Sequence, residues 1–99
     1  MKFIVLLEDS DDADPGLRSR HMSAHLTFLE SNASKVDAAG PLFKVDGANA
    51  GGLWIVEADG AESIERLIHE DPFWPTGLRK SYTILNWKRV FADRKRLIK

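Results

Sequence analysis

The stretch LRSRHMSAHLTFLESNASKV, residues 17–36, predicts the first helix, and the rest of the fold is worked out from it. Within it, His21 and His25 are four residues apart and therefore point out of the same side of a helix, one turn apart. That side is the apolar one, because apolar residues recur at helical spacing. These residues are Leu17, Ala24, Phe28, Leu29 and Val36, with Met22 at the edge and a frayed end near Ser31 to Lys35.

A histidine on an apolar face has two interpretations. In the structural one, a ring nitrogen bonds to a backbone group or a carboxylate inside the core. In the functional one, the imidazole serves as a general base or a metal ligand. Zinc proteases hold their metal with two histidines at this spacing, but their motif has a glutamate directly after the first one. Met22 stands there in this chain, so we predict no metal site.

The segments around this helix predict strands. Residues 2–8 read as a central strand, because its apolar run is not alternating and both faces should be covered. After the helix come a strand over 36–43, bent or ended by its Gly-Pro, and another over 52–58. The polar, glycine-rich turn between them favours a hairpin. Residues 9–16, with four aspartates, predict a solvated acidic loop without the calcium-loop pattern.

The second half of the chain predicts one more helix and one more strand. The helix runs from Asp59 or Gly60 to about Glu70, with Asp59 as its N-cap. Two prolines keep residues 71–77 irregular, and 81–91 alternate as a last strand. Residues 92–99 form a basic, solvated C-terminal tail. The helix should bury Ala61, Ile64, Leu67 and Ile68, and leave His69 exposed.

The element order βαββαβ predicts an α+β fold of the ferredoxin-like type, in one domain spanning residues 1–99. Such a fold has a four-stranded antiparallel sheet with two helices on one face. The first and third strands are apolar on both faces, so the uncovered face would expose a contiguous apolar patch. A second copy stacked on that face would cover it with two-fold symmetry. The pattern therefore predicts a homodimer through the sheet face.

Composition and charge argue against several kinds of partner and chemistry. A net charge of -1 gives no overall attraction to nucleic acid or to an anionic membrane, so we predict neither partner. The chain has no cysteine, which excludes disulfides and thiolate chemistry. Its N-terminal apolar run, residues 3–7, is too short for a signal peptide, and no stretch approaches membrane-spanning length. We expect a soluble cytoplasmic protein.

Several short motifs, in this order and spacing, resemble the YCII-related domain family of the dimeric α/β-barrel superfamily. The resemblance runs from Met1 to about Phe91. It rests on FIVLLED at residues 3–9, His25-Leu26, Ala39-Gly40-Pro41, Asp71-Pro72-Phe73 and Val90-Phe91. It implies small homodimeric barrels, in which a histidine of the first helix and an aspartate after the second are the catalytic candidates. These match His25 and Asp71 here.

The resemblance also implies a substrate class and two departures from the family. Muconolactone isomerases and ring-modifying monooxygenases belong to the same superfamily, which implies small aromatic or lactone-like substrates. Many members have an arginine three residues before the histidine, where this chain has Met22, and a Ser or Thr early in the third strand, where it has Gly52-Leu53. Either the substrate differs here or activity has been lost.

The residues themselves fit a His25–Asp71 pair. Asp71 follows a helix C-terminus, where the dipole disfavours a carboxylate that a nearby imidazole would stabilise. A carboxylate on one ring nitrogen fixes the tautomer of the other. With no cysteine and no serine in a nucleophile-elbow context, we predict proton transfer of the lyase or isomerase type without a cofactor. Predicted substrate contacts are His21, Trp54, Phe73 and Trp74.

Other interpretations of the same residues remain open. Asp71 could be a turn cap before Pro72, and Trp54 could serve core or dimer packing. The chain could be a non-catalytic module that binds a small molecule in the same pocket. It could also be a structural dimer in which the contact between His25 and Asp71 only holds the helices together.

Overall fold

Two α-helices, one 3₁₀ turn and six strands make up the computed structural model, which describes residues 1–99. The predicted order βαββαβ is followed by a short extra hairpin. None of the helices is both long and apolar enough to cross a membrane. The elements are β1 (Lys2–Asp9), α1 (Leu17–Ser31), β2 (Val36–Phe43), β3 (Asn49–Glu57), α2 (Ala61–Glu70), the 3₁₀ turn (Trp74–Thr76), β4 (Arg79–Asn86), β5 (Phe91–Ala92) and β6 (Lys95–Arg96).

The first four strands form one antiparallel sheet in the order β2-β3-β1-β4. The central strand β1 therefore pairs on both sides, and its Val5 lies opposite Trp54 of β3 and Ile84 of β4. The predicted hairpin of β2 and β3 is present. The predicted α+β, ferredoxin-like class with a four-stranded antiparallel sheet and two helices is confirmed.

The core lies between the helices and one face of this sheet. Successive strand residues point to opposite faces, so Phe3, Val5 and Leu7 are buried while Leu6 between them is exposed. The buried cluster contains Phe3, Val5, Leu7, Trp54, Val56, Ile64, Leu67 and Ile68, with Phe28 of α1 packed against it. The opposite face of the sheet has no helix over it.

Both helices differ from their predicted bounds. The structure ends α1 at Ser31, and Val36 opens β2 instead of closing the helix. Asn32 accounts for the earlier end, because its side-chain amide donates to the Phe28 carbonyl at 2.8 Å, as a C-terminal cap. Ala24, predicted on the buried stripe, is exposed.

At the start of α2, the N-cap is Gly60 and not Asp59. No side chain caps this end; instead, the Ser63 hydroxyl donates to the Gly60 carbonyl at 3.1 Å. Ala61 is exposed at the first position of the helix, whereas Ile64, Leu67 and Ile68 are buried as predicted. His69 is exposed, also as predicted.

The last strand is shorter at its end than predicted. β4 begins at Arg79 and stops at Asn86, because its neighbour β1 begins at Lys2 and offers no further partner. The final ladder bond runs from the Trp87 N–H to the Lys2 carbonyl at 2.9 Å. Beyond it, the predicted solvated tail contains the β5–β6 hairpin, which turns through Asp93 and Arg94, both with positive φ.

Candidate functional site

The structure brings His25 and Asp71 into direct contact. His25 is the one buried residue of α1, and Asp71 is the buried residue that ends α2. The His25 Nδ1 atom lies 2.8 Å from Asp71 Oδ1, across 46 residues of sequence. Both side chains are more than nine-tenths buried, so the contact is shielded from water.

A second hydrogen bond fixes the orientation of Asp71. The backbone N–H of Phe73 donates to the same Oδ1 atom at 3.1 Å, which is the local turn bond expected of an aspartate before proline. Because an ionised carboxylate only accepts hydrogen bonds, Nδ1 of His25 must carry the proton in a neutral ring. The other nitrogen, Nε2, then presents its lone pair.

The second ring nitrogen of His25, Nε2, has no partner within the chain. No hydrogen bond within the chain involves it, and the only buried side-chain nitrogen or oxygen without a partner is Nε of Arg79. Nε2 is therefore not completely enclosed, although the His25 side chain as a whole is only 8% exposed. A buried orienting bond on one nitrogen with solvent access on the other is the arrangement required of a general base.

Two aromatic rings enclose the imidazole. Phe73 is fully buried and stacks on His25 with ring centroids 4.3 Å apart. Trp54, on the helix-covered face of the sheet, lies 6.4 Å from the imidazole. These rings lower the local polarity and hold the imidazole in one orientation. Two of the predicted substrate contacts therefore lie beside the pair, where packing of His25 is their evident role.

Beside Phe73 lies an ion cluster that the sequence did not predict. Asp9, the last residue of β1, accepts hydrogen bonds from Arg79 at 2.8 Å and from Arg18 at 2.5 Å. The guanidinium carbons of Arg79 and Arg18 lie 5.4 Å and 5.9 Å from the centre of the Phe73 ring. Two cations share one carboxylate, so the cluster carries net positive charge close to His25 and Asp71.

Arg79 is the buried member of this cluster. Burial lowers the pKa of its guanidinium, while the charge and hydrogen bond of Asp9 act in the opposite direction. An arginine nonetheless stays protonated at neutral pH. Its Nε has no acceptor. At Gly52, an added Cβ would lie 3.2 Å from Nη1 of Arg79, so the absence of a side chain there leaves room for the guanidinium.

A groove of about 910 Å³ opens next to the ion cluster. His25 and Asp71 are not part of its wall, but Arg18 lines it and also contacts Phe73, which connects the groove to the pair. Its wall includes the charged and aromatic side chains of Glu8, Asp9, Asp11, Asp14, Arg18 and Phe43. We call this feature the acidic groove.

The remaining predicted contacts lie apart from the pair. His21 is half-buried one turn before His25 and makes no side-chain hydrogen bond or ring contact with it. Trp74 packs against His69 at 4.6 Å and Tyr82 at 5.8 Å instead. Their roles in binding substrate stay predictions. No three His, Asp or Glu side chains converge closely enough to hold a metal ion.

The missed residues had a weak signal in the sequence. Asp9 ends β1 two residues after the apolar run, and an acidic side chain at the end of a buried strand needs a cation nearby. The sequence does not show which cation Asp9 contacts, because Arg79 is 70 residues away.

Comparison with known proteins identifies the family to which this chain belongs. The sequence model of the YCII-related domain matches residues 1–88, and the chain belongs to that family. A search of curated proteins gave no match.

Among solved structures, the chain is similar to 5-chloro-2-hydroxyhydroquinone dehydrochlorinase from Burkholderia phenoliruptrix AC1100, determined in complex with 2,5-dihydroxybenzoquinone. The two share 25% sequence identity with a TM-score of 0.73, over 89% of this chain and 94% of that one.

Proposed function

We propose that this chain is a small enzyme of the lyase or isomerase type that moves a proton on a small hydroxylated aromatic molecule. One observation carries the proposal: the Asp71 carboxylate holds Nδ1 of His25, while Nε2 has no hydrogen-bond partner in the chain and is not completely enclosed. The structural likeness to a dehydrochlorinase bound to a dihydroxybenzoquinone supports this substrate class.

The proposed chemistry needs no group beyond those of the chain. Nε2 takes the proton of a substrate hydroxyl, and the O–H electron pair becomes part of a carbonyl. The reacting form of a chlorinated ring is its keto tautomer, in which a hydroxyl proton has moved to the chlorine-bearing carbon. When Nε2 takes the proton of another hydroxyl of this tautomer, chloride leaves with the C–Cl electron pair. The net change is loss of HCl, without an external oxidant or reductant. The positive cluster of Arg18 and Arg79 favours the oxyanion that forms.

The first test is release of chloride from 5-chloro-2-hydroxyhydroquinone, followed without oxygen because hydroquinones oxidise in air. We expect protein-dependent chloride release that saturates with substrate. A heat-denatured sample is the control. Binding of 2,5-dihydroxybenzoquinone is measured in parallel by calorimetry. Saturable binding without chloride release would favour a non-catalytic module, and absence of both would contradict the proposed substrate class.

We also propose that the chain forms a homodimer through the uncovered face of its sheet. This face presents apolar side chains from three strands, among them Leu6 and Leu85, which are 39% and 46% exposed. Leu53 and Ile55 of β3 are only half-buried on the same face. At roughly 25 cal/mol per Å² of apolar area, covering such a face contributes several kcal/mol.

A charge on this face should weaken the dimer. For Leu85→Glu we expect the dimer Kd, measured by sedimentation velocity over a concentration series, to rise by at least about tenfold, since the carboxylate would be buried without a partner. Leu26→Glu is the matched control, because Leu26 is 48% exposed on α1, away from this face. Equal effects of the two variants, or a monomer at every concentration, would contradict the proposed interface.

A further inference from the structure

The last thirteen residues, 87–99, differ in charge from the rest of the chain; we call them the C-terminal arm. The arm has six Lys and Arg against one Asp, a net charge of +5, whereas residues 1–86 have eight against fourteen, a net charge of -6. No cation of the arm forms an ion pair within the chain, since every ion pair lies within residues 1–80. The arm lies almost wholly outside the region that the family shares, residues 1–88.

The arm is folded but largely uncovered. Its hairpin pairs Phe91 with Arg96 and is extended by a bond from the Leu97 N–H to the Val90 carbonyl at 2.9 Å. Phe91 is 62% exposed and Ile98 55% exposed. A two-stranded hairpin on its own is marginally stable in water, so burial of these side chains against another surface would stabilise it.

The overall dimensions also indicate that the chain is extended. Its radius of gyration is 14.4 Å. A compact domain of this length has a radius of about 13 Å. An arm that leaves the sheet at Trp87 accounts for the difference.

The acidic groove has the complementary chemistry. Four carboxylates line it, and three of them are already paired: Glu8 with Lys80, Asp9 with Arg18 and Arg79, and Asp14 with Arg20. Asp11 has no ion-pair partner, nor has the neighbouring Asp12. Phe43, 61% exposed, supplies an apolar wall. The unpaired carboxylates of Asp11 and Asp12 and the exposed ring of Phe43 match the unpaired cations and the exposed aromatic and aliphatic side chains of the arm.

The arm cannot reach the acidic groove of its own chain. β4 pairs Arg79 with Asp9 beside the groove, and Asn86 with Phe3 at the far end of β1. Seven residues of strand separate the two ends, about 23 Å at the usual rise. The outgoing half of the hairpin, residues 88–92, spans at most about 18 Å. Any acidic groove that the arm meets therefore belongs to another molecule.

We infer that the C-terminal arm of one copy docks in the acidic groove of a second copy of this chain. A two-fold axis would then give two equivalent contacts, each arm in the other's groove. The arm would close the groove beside Arg18, so each copy would complete the surroundings of its partner's site. This inference concerns assembly and stands whether or not His25 is catalytic.

A charge-swap experiment tests the contact in the full-length protein. The arm variant is Lys95→Glu with Arg96→Glu, and the groove variant is Asp11→Lys with Asp12→Lys. Each reverses two exposed charges without an ion pair in the chain. We expect each to raise the dimer Kd by about tenfold or more in sedimentation velocity, because like charges would then face each other. Combining all four substitutions should return the Kd to within about threefold of wild type.

The matched control reverses two cations elsewhere. Lys35→Glu with Arg66→Glu changes the same net charge at exposed positions that also lack ion pairs, and it should leave the Kd unchanged. An unchanged Kd in the arm variant would overturn the inference, as would failure of the combined variant to recover. So would a loss of binding to anionic phospholipid vesicles in the arm variant without any effect on dimerisation. The Leu85→Glu variant tests the sheet face separately.

Discussion

A His25→Asn variant should lose about 10²–10⁴-fold of kcat/KM for chloride release. The side-chain amide of asparagine places an N–H two bonds from Cβ, as Nδ1 of His25 is placed, so the bond to Asp71 can be kept. What the variant lacks is Nε2, the proposed proton acceptor. Activity is measured under anaerobic conditions, at temperatures where circular dichroism shows the variant to be folded.

Two further variants sharpen this result. Asp71→Asn can donate to Nδ1 and would then move the imidazole proton to Nε2, so we expect a loss of similar size with little structural change. His69→Asn is the matched control, because His69 is an exposed histidine on α2 that contacts Trp74 and Tyr82 instead. Its kcat/KM should equal that of wild type.

The structural interpretation of His25 makes the opposite prediction. If the contact with Asp71 only holds the helices together, His25→Ala should lower stability by about 1–3 kcal/mol, or several degrees in thermal midpoint. In that case, neither turnover nor saturable ligand binding would be found in wild type, and the loss of stability would be the only effect of the substitution. The midpoints must be compared at matched protein concentration, because that of a dimer depends on it. Full activity in folded His25→Asn would contradict the proposed mechanism.

Gly51→Ala should lower the free energy of unfolding by about 2–5 kcal/mol, or the thermal midpoint by roughly 10 °C or more. Gly51 has φ +91°, which L-residues rarely adopt, and an added Cβ would overlap the carbonyl oxygen of Leu7 in β1. The overlapping atom belongs to the backbone of the central strand, so no side chain can move aside to relieve it. Urea denaturation followed by circular dichroism measures the change.

Gly47→Ala separates backbone strain from overlap. Gly47 has a similar φ, +96°, but no atom lies within 4 Å of the position its Cβ would take. We expect it to cost about 1–2 kcal/mol, the backbone term alone. If Gly51→Ala lowered the free energy of unfolding by no more than Gly47→Ala does, this would contradict the close approach of β3 to β1 at Leu7.

The sequence predicted the elements that depend on local pattern. Non-alternating apolar runs indicated β1 and β3, alternation indicated β4, and the spacing of Ile64, Leu67 and Ile68 indicated α2. The predicted ends of helices and strands were wrong where a single side chain or the lack of a neighbouring strand sets the end. The Asn32 amide ends α1 before Val36, and the lack of a partner strand ends β4 at Asn86.

The candidate site also contains residues that the sequence predicted and residues that it did not. The position of His25 on a largely apolar face marked it as unusual, and the resemblance to the family indicated Asp71 as its partner, in agreement with the place of Asp71 after a helix end. The cluster of Asp9, Arg18 and Arg79 joins residues from three elements, and no local pattern signals which charges will meet. Only the tertiary structure shows that two guanidinium groups share one carboxylate.

The position of Phe73 links two parts of the molecule that would otherwise act separately. Its ring stacks on His25 and also contacts the guanidinium of Arg18, which lines the groove. A ligand or chain segment that shifted Arg18 would therefore disturb the ring that packs on the imidazole. Any such coupling would be reciprocal in free energy: a ligand at His25 would change the affinity of the groove by the factor by which a ligand in the groove changes the affinity at His25. Binding in the groove would then regulate the site at His25, and binding at His25 would regulate the groove.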